Sequence, residues 1–575
     1  MTAIASVRIK LSLLIIGCIA CFAVITARLY LLQITQHHYF LTLCTKNYTR
    51  MEPILSQRGS ITDINGVLLA TNRPVVDLYW HGTHKRRLSD QQNLVLDSID
   101  TILTEPLSDD LKTQIAICER FGRKLLLARD LSFEQLSQVV EQFPNHPNLD
   151  LPTQFTRLYP NGPLASHIVG FLGNIRYEDV GKMGLEKLCE QDLRGEDGLL
   201  KKKINSVGKS LEQAQIKQAA SGMTLQTTLD FEMQKIAELI FPAESAGVFI
   251  IMDPKTGAIK ALVSRPTFDP NIFLKTVDMQ SWQELLEKKA LLNRAFDACY
   301  PPASIFKLVT TSAALEQGFI EPDDIVYCKG YYEFGGYRHW CVRHTGHGSL
   351  SVQEALAESC NILFYHIGKH INIDTLADYA RRFGLGKKTN VLFPEKTGLI
   401  PDRQWKQQTR HERWWQGETL STAIGQGFLL VTPIQIIRMI ASIFEGYLVK
   451  PRILESEIIE KEPLRISKKT REFLQQGMRS AVTEGTGRRL NKLKDIEVYA
   501  KTGTAQVSSL KFRTLGTNLL EHAWFVAHCR IKEEQPFVLV ALLEHAGNSR
   551  PATITAKNFL LEYRKLINSR TLSNG

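Results

Sequence analysis

Ser304 and Lys307 stand three residues apart, just after Pro301-Pro302-Ala303 and just before the apolar run 308–315. Prolines suit the approach to a helix start, and a spacing of three puts both side chains on one helical face. A serine hydroxyl is a poor nucleophile at its own pKa. A lysine made neutral by burial or by a neighbouring cation can take its proton. The pair alone proves little, because two fixed residues recur by chance roughly twice in a chain of this length. Ser206 with Lys209 and Ser508 with Lys511 repeat the spacing, the first in a glycine-bearing turn and the second in a polar loop. Neither opens a buried helix.

Two later motifs add to it. Ser359-Cys360-Asn361 follows the helical run 352–357. There Ser359 can relay a proton between Lys307 and an amine, and Asn361 can hold a substrate amide. Lys501-Thr502-Gly503-Thr504 lies in a strand-like stretch, 498–507. Lys501 supplies charge, Gly503 lets a peptide lie close along the strand, and Thr502 and Thr504 offer hydroxyls to a terminal carboxylate. Lys-Thr-Gly also occurs at 255–257 and 396–398, but Asp253-Pro254 and the flanking Pro394 and Pro401 make those turn settings.

Cys328, Cys341, His347 and Cys360, separated by 12, 5 and 12 residues, form a soft donor set that suits tetrahedral zinc. His344 is a substitute ligand. A Cys328 to Cys341 disulfide or plain buried thiols are the competing readings.

These groups need a scaffold. At 575 residues the chain divides into two to four compact units at about 150 residues each. Residues 11–34 are long and apolar enough to span a bilayer, with Arg8 and Lys10 before them and Arg28 and Tyr30 suited to the interface. The positive-inside tendency leaves a cytoplasmic tail at 1–10 and sends the rest out; a cleaved signal peptide is the rival reading. Residues 35–222 form an N-terminal module, in which Asn65-Gly66 signals a hairpin and Lys201 to Lys203 reads as a solvated strand edge. Residues 223–575 form the chemical module, α+β or α/β with an antiparallel sheet, opened by the strand pair 247–253 and 258–263. The net charge of +11 sits beside 59 acidic residues with no recognition motif, so nucleic acid is not an expected partner.

The order Ser-x-x-Lys, Ser-x-Asn, Lys-Thr-Gly is the signature of penicillin-binding proteins and class A β-lactamases. The chain resembles a class B penicillin-binding protein along nearly its whole length. The likeness includes the single anchor, Arg58-Gly59, Arg157-Leu158-Tyr159-Pro160, Gly184-Leu185-Glu186-Lys187, Gly425-Gln426-Gly427, Thr432-Pro433-Ile434-Gln435 and Glu484-Gly485-Thr486-Gly487. Trp405-Lys406 and Trp414-Trp415-Gln416-Gly417-Glu418 look like elongation-type members.

The resemblance implies an elongated β-rich pedestal of the dimerisation type at 35–222 and a serine β-lactamase-like transpeptidase domain at 223–575. It implies a peptidoglycan D,D-transpeptidase, a target of penicillin, in the inner membrane with its catalytic domain on the periplasmic side. Ser304 would attack the penultimate D-alanine of a stem peptide, with Ser304 and Thr504 N–H groups as the oxyanion hole. It also implies a structural zinc on Cys328, Cys341, His347 and Cys360, no organic cofactor, and a membrane-embedded glycosyltransferase partner. A β-lactamase or D,D-carboxypeptidase and a silent sensor or scaffold are the rivals. Ala303 stands where such proteins carry glycine; we expect it to be tolerated, because a helix start needs no positive φ.

Overall fold

The computed structural model describes residues 2–103, 106–175, 178–204, 210–275, 277–493, 495–507, 520–532 and 534–573. Ser206, Lys209, Ser508 and Lys511 lie outside the described residues. By its contacts the chain forms two units, one of residues 1–58, 72–156 and 194–223, the other of 59–71, 157–193 and 224–575.

The first unit begins with a helix, Thr2–Tyr30, whose course continues to Thr35. Over Ser6–Thr35 it is long and apolar enough to cross a membrane. A second helix, His37–Tyr48, leads into an antiparallel sheet of Thr49–Ile54, Gly198–Ile204 and Ser210–Lys217. The lysines at 201 to 203 therefore sit on the middle strand of that sheet and not on an edge. Lys203 is neutralised across the ladder by Glu212 at 2.6 Å.

Elsewhere in this unit, helices Asp90–Ile102, Asp109–Phe121 and Phe133–Gln142 each start on a serine N-cap. They enclose an apolar cluster around Trp80. The buried Glu119 carboxylate accepts N–H groups from Trp80, Gln92 and Asn148 at 3.0 to 3.1 Å, so burial leaves it fully solvated by protein.

The second unit is built on a five-stranded antiparallel sheet. Its strands are β1 (Gly247–Met252), β2 (Ile259–Arg265), β3 (Ile496–Ala505), β4 (His522–Ile531) and β5 (Phe537–Leu543), in the order β2-β1-β5-β4-β3. The central strands β1 and β5 are buried along their whole length and read as unbroken apolar runs, as strands covered on both faces must. Alternation then sorts the side chains: Phe249, Ile251 and Ala541 pack with Ala237, Phe559 and Leu560 from the helices Phe231–Ile240 and Arg550–Ser573. Val248, Ile250 and Leu542 face the other way, into the larger core. That core takes side chains from α1 (Lys307–Glu316), α2 (Val352–Ala357), α3 (Asn361–His370), α5 (Gln416–Ala423), α6 (Pro433–Glu445) and α7 (Lys468–Thr483), while α4 (Arg403–Arg410) lies outside it. The strand β3 is left at the sheet edge.

Three of the sequence blocks singled out above meet inside this unit. Arg157 donates through Nε to Glu186 Oε1 at 2.7 Å and through Nη1 to Gly59 O at 2.7 Å, while the Tyr159 hydroxyl reaches the same Glu186 oxygen at 3.3 Å. Both charged side chains are essentially inaccessible to solvent. These bonds hold residues 59–71 and 157–193 to each other, and Asn271 Nδ2 to Tyr159 O at 2.9 Å and His167 Nε2 with Ala290 O at 2.7 Å join them to the chemical module.

Candidate active site

Ser304 lies in a single 3-10 turn, Ala303–Ile305, and the α-helix begins only at Lys307. In a 3-10 turn, positions three apart eclipse, so Lys307 still shares a side with Ser304. Ser304 is half-buried; Lys307 is fully buried. Ala303 has φ +51°, which overturns the expectation that this position needs no positive φ. It is not the first residue of a regular helix but the pivot of the turn, a conformation that costs a non-glycine residue about 1–2 kcal/mol. Its N–H donates to Gly425 O at 2.9 Å.

Lys307 Nζ meets the second motif directly, 2.8 Å from Ser359 O, 3.2 Å from Ser359 Oγ and 2.7 Å from Asn361 Oδ1. Burial pulls its pKa down to about 8, and the Cys360 and Cys341 thiols partly oppose that fall. Ser359 has φ +56°. This left-handed residue ends α2, with the Cys360 N–H turned back on Ala355 O at 2.9 Å, and lets α3 start at Asn361. Asn361 Nδ2 donates to Trp340 O at 3.0 Å, which leaves its carbonyl for Lys307.

The third motif occupies the far part of β3. Lys501 is buried and its Nζ has no hydrogen-bond partner among the described residues. Burial, and then the nearby Lys307 charge, hold its pKa well below the ordinary lysine value. Thr502 Oγ1 donates to Thr486 Oγ1 at 2.8 Å. Gly503 is where strand and nucleophile turn touch: a Cβ there would meet Trp524 at 3.1 Å, and Ile305 and Pro302 O at 3.4 Å. Thr504 O accepts from Gln426 Nε2 at 3.3 Å. The competing tripeptides are turns, with Gly257 at φ +72° and Gly398 at φ +70°.

The structure therefore joins Lys307, Ser359 and Asn361 by direct bonds, sets Lys501 against Lys307 by charge, and seats Gly503 on the Ser304 turn. Gln426 and Thr486 were missed as site residues. Their signal was present in Gly-Gln-Gly and Glu-Gly-Thr-Gly, but only tertiary contact gives it a meaning.

Beside this site, the ligand atoms of Cys328, Cys341, His347 and Cys360 all lie within 4.8 Å of one another. His347 Nδ1 is 3.4 Å from Cys328 Sγ and 3.5 Å from Cys341 Sγ, and the Cys341 and Cys360 sulfurs are 3.8 Å apart. The cysteines are free thiols. The Cys360 hydrogen bond and the Asn361 N–H hold the Cys341 thiol below its usual range; the same bond and burial push Cys360 up. Two such sulfurs cannot both ionise without a cation between them, and three sulfurs with one imidazole nitrogen fit zinc. His344 stands apart from the set, its ring 5.0 Å from that of Trp340.

A serine on a turn, an uncharged-prone buried lysine, a hydroxyl relay and a strand at the sheet edge define a serine acyl transferase acting on peptide substrates. Residues 247–561 match the penicillin binding protein transpeptidase domain and residues 53–227 the penicillin-binding protein dimerisation domain. The chain is 30% identical to the peptidoglycan D,D-transpeptidase MrdA of Salmonella typhimurium, over 93% of this chain and 92% of that one. Its fold matches the penicillin-binding protein PBP2 of Helicobacter pylori, solved in complex with MreC, with a TM-score of 0.78 at 26% identity, covering 90% and 98% of the two chains. It also matches a chain of a peptidoglycan synthase complex, with a TM-score of 0.73 at 30% identity, covering 96% and 98%. The chain belongs to the penicillin-binding protein family, as an elongation-type class B member and a serine D-Ala-D-Ala transpeptidase.

Proposed function

We propose that Ser304 is the nucleophile of peptidoglycan cross-linking in this enzyme and that Lys307 is its base. Ser304 Oγ attacks the carbonyl carbon of the penultimate D-alanine as its proton passes to Lys307. The Ser304 and Thr504 N–H groups receive the oxyanion. Collapse expels the terminal D-alanine, whose nitrogen takes a proton through Ser359, and an amine of a neighbouring stem peptide then attacks the acyl-enzyme and releases Ser304. Asn361 holds the donor amide, and Lys501, Thr502, Gly503 and Thr504 receive the terminal carboxylate and backbone along β3. The observation that carries this reading is the buried Lys307 amine held between Ser359 and Asn361. Ser304→Ala should abolish labelling by a fluorescent penicillin while the melting curve is kept; persistent labelling of that variant rejects the nucleophile.

A zinc on Cys328, Cys341, His347 and Cys360 would cross-link the segment that carries Ser359 and Asn361 and so fix the relay as a structural staple. Metal analysis of the purified protein should find about one zinc per chain; full activity without metal rejects the staple. The N-terminal helix anchors the chain in the inner membrane, with Arg8 and Lys10 inside and the catalytic unit on the periplasmic side. Strand synthesis comes from a membrane-embedded glycosyltransferase, a pairing supported by the likeness to a synthase complex that coordinates polymerization and crosslinking. A scaffold of the MreC kind, bound by the Helicobacter pylori relative, is a second partner.

A further inference from the structure

Gly425-Gln426-Gly427 follows α5 and touches both halves of the acylation site with consecutive residues. Gly425 O takes the Ala303 N–H, and a Cβ on Gly425 would stand 2.0 Å from Ala303 O. The next residue, Gln426, donates from Nε2 to Thr504 O at 3.3 Å, and its own N–H is fixed on Ser421 O at 3.0 Å. Gly425 and Gly427 have φ +78° and +79°, so the turn that aims Gln426 is one that side chains resist.

The turn is held from behind. Thr310 Oγ1 on α1 donates to Ala423 O at 2.8 Å. Lys406 on α4 pairs with Glu418 on α5, and Trp405 packs on Phe428 with ring centres 5.2 Å apart. The elongation-type tryptophan-lysine and tryptophan-glutamate motifs thus converge on the mounting of this turn.

The two N–H groups assigned to the oxyanion lie on different pieces of chain, Ser304 on the turn and Thr504 on β3. Their separation must be fixed before reaction if they are to act without reorganisation. We propose that Gln426 is the positioning residue that sets it. Its carboxamide holds the Thr504 residue against the same backbone turn that anchors Ala303. A carbonyl oxygen has two lone pairs, so Gln426 takes one and leaves the other to the N–H of a peptide laid along β3. Another tether near this point, Trp524 Nε1 to Pro301 O at 3.0 Å, ties the entry of the turn to β4, whose Ala523 lies across the ladder from Thr504, and makes no bond to Thr504 itself. The inference rests on the roles given to Ser304 and Thr504 above.

The test uses the full-length protein in detergent and a fluorescent penicillin in stopped flow, which separates reversible binding (Kd) from acylation. Gln426→Glu keeps the size of the side chain but points oxygen in place of N–H at the Thr504 carbonyl; Gln426→Ala removes the contact. In both, the acylation rate constant should fall about 10- to 100-fold, somewhat less than for loss of an oxyanion donor itself. Kd should stay within about threefold, the pH dependence of acylation should keep its shape because Lys307 is untouched, and Gln426→Glu should melt within about 2 °C of the parent. Parental acylation in both variants overturns the proposal. So does a loss that appears only together with a collapsed melting temperature or a changed Kd, which marks Gln426 as a packing residue. Ser304→Ala run alongside keeps the two questions apart, since residual labelling there rejects the nucleophile on which the inference rests, whereas parental acylation in the Gln426 variants rejects Gln426 alone.

Discussion

Three described lysines in the catalytic unit are fully buried, and two of them, Lys307 and Lys406 at 0% and 1% exposure, make a contrast. Lys406 sits against the Glu418 and Glu412 carboxylates, with the Trp414 and Phe428 rings about it. Lys307 has no carboxylate partner among the described residues; its neighbours are a carbonyl, a hydroxyl and an amide, with Phe364 beneath and the second amine of Lys501 nearby. Burial is common to both, so burial alone does not make a base. The counter-charge decides: a lysine given one remains a structural cation, and a lysine denied one is poised to exchange its proton.

The contrast breaks first at Lys307. Lys307→Met should lower penicillin acylation by about 10²- to 10⁴-fold without weakening the fold, because a desolvated amine is replaced by an apolar chain of similar length. Acylation kinetics and a urea melt check it, and retained acylation would remove Lys307 from the mechanism. The opposite pattern is expected at the other lysine. Glu418→Leu leaves Lys406 buried beside one remaining carboxylate and should cost about 3 kcal/mol of unfolding free energy, and the double variant with Lys406→Met should recover most of it. Equal loss in the single and the double would show that packing, not charge, sets the cost.

The smallest effect is the titration itself. With Lys307 near 8, the acylation rate should rise about tenfold per pH unit below that value and level off above it. The same shift has a sign for stability. In the window from about 8 to the ordinary lysine value of 10.5 the unfolded chain holds the proton that folded Lys307 has lost, so stability rises with pH there. A flat acylation profile would show Lys307 uncharged across the whole range.

Much of the site was legible because chemistry fixes spacing. Ser304 with Lys307, Ser359 with Asn361 and the Lys501 strand each need particular types at particular intervals, and flanking turn residues were enough to set aside 255–257 and 396–398. The strand pair 247–253 with 258–263 followed from apolar runs on either side of a turn. What stayed hidden depends on neighbours distant in sequence. Ala303 takes a positive φ because Gly425 fixes the turn from outside. The lysines at 201 to 203 were placed on an edge because nothing in their own pattern tells that strands 49–54 and 210–217 flank them on both sides. Gln426 has no chemistry of its own to advertise, and its contact with Thr504 exists only once β3 is laid beside the turn.

The pairing of β1 with β5 has a consequence for how the enzyme comes into being. Residues 247–252 lie beside residues 537–543 at the centre of the sheet, and nearly the whole unit is spelled out between them. During synthesis, β1 emerges hundreds of residues before its partner, and such non-local pairing is slow to form and exposes apolar edges while it waits. A nascent chain already carrying Ser304, Lys307, Ser359 and even β3 still lacks β4 and β5, the strands that hold β3 to β1, so competence for acylation arrives only with the last tenth of translation.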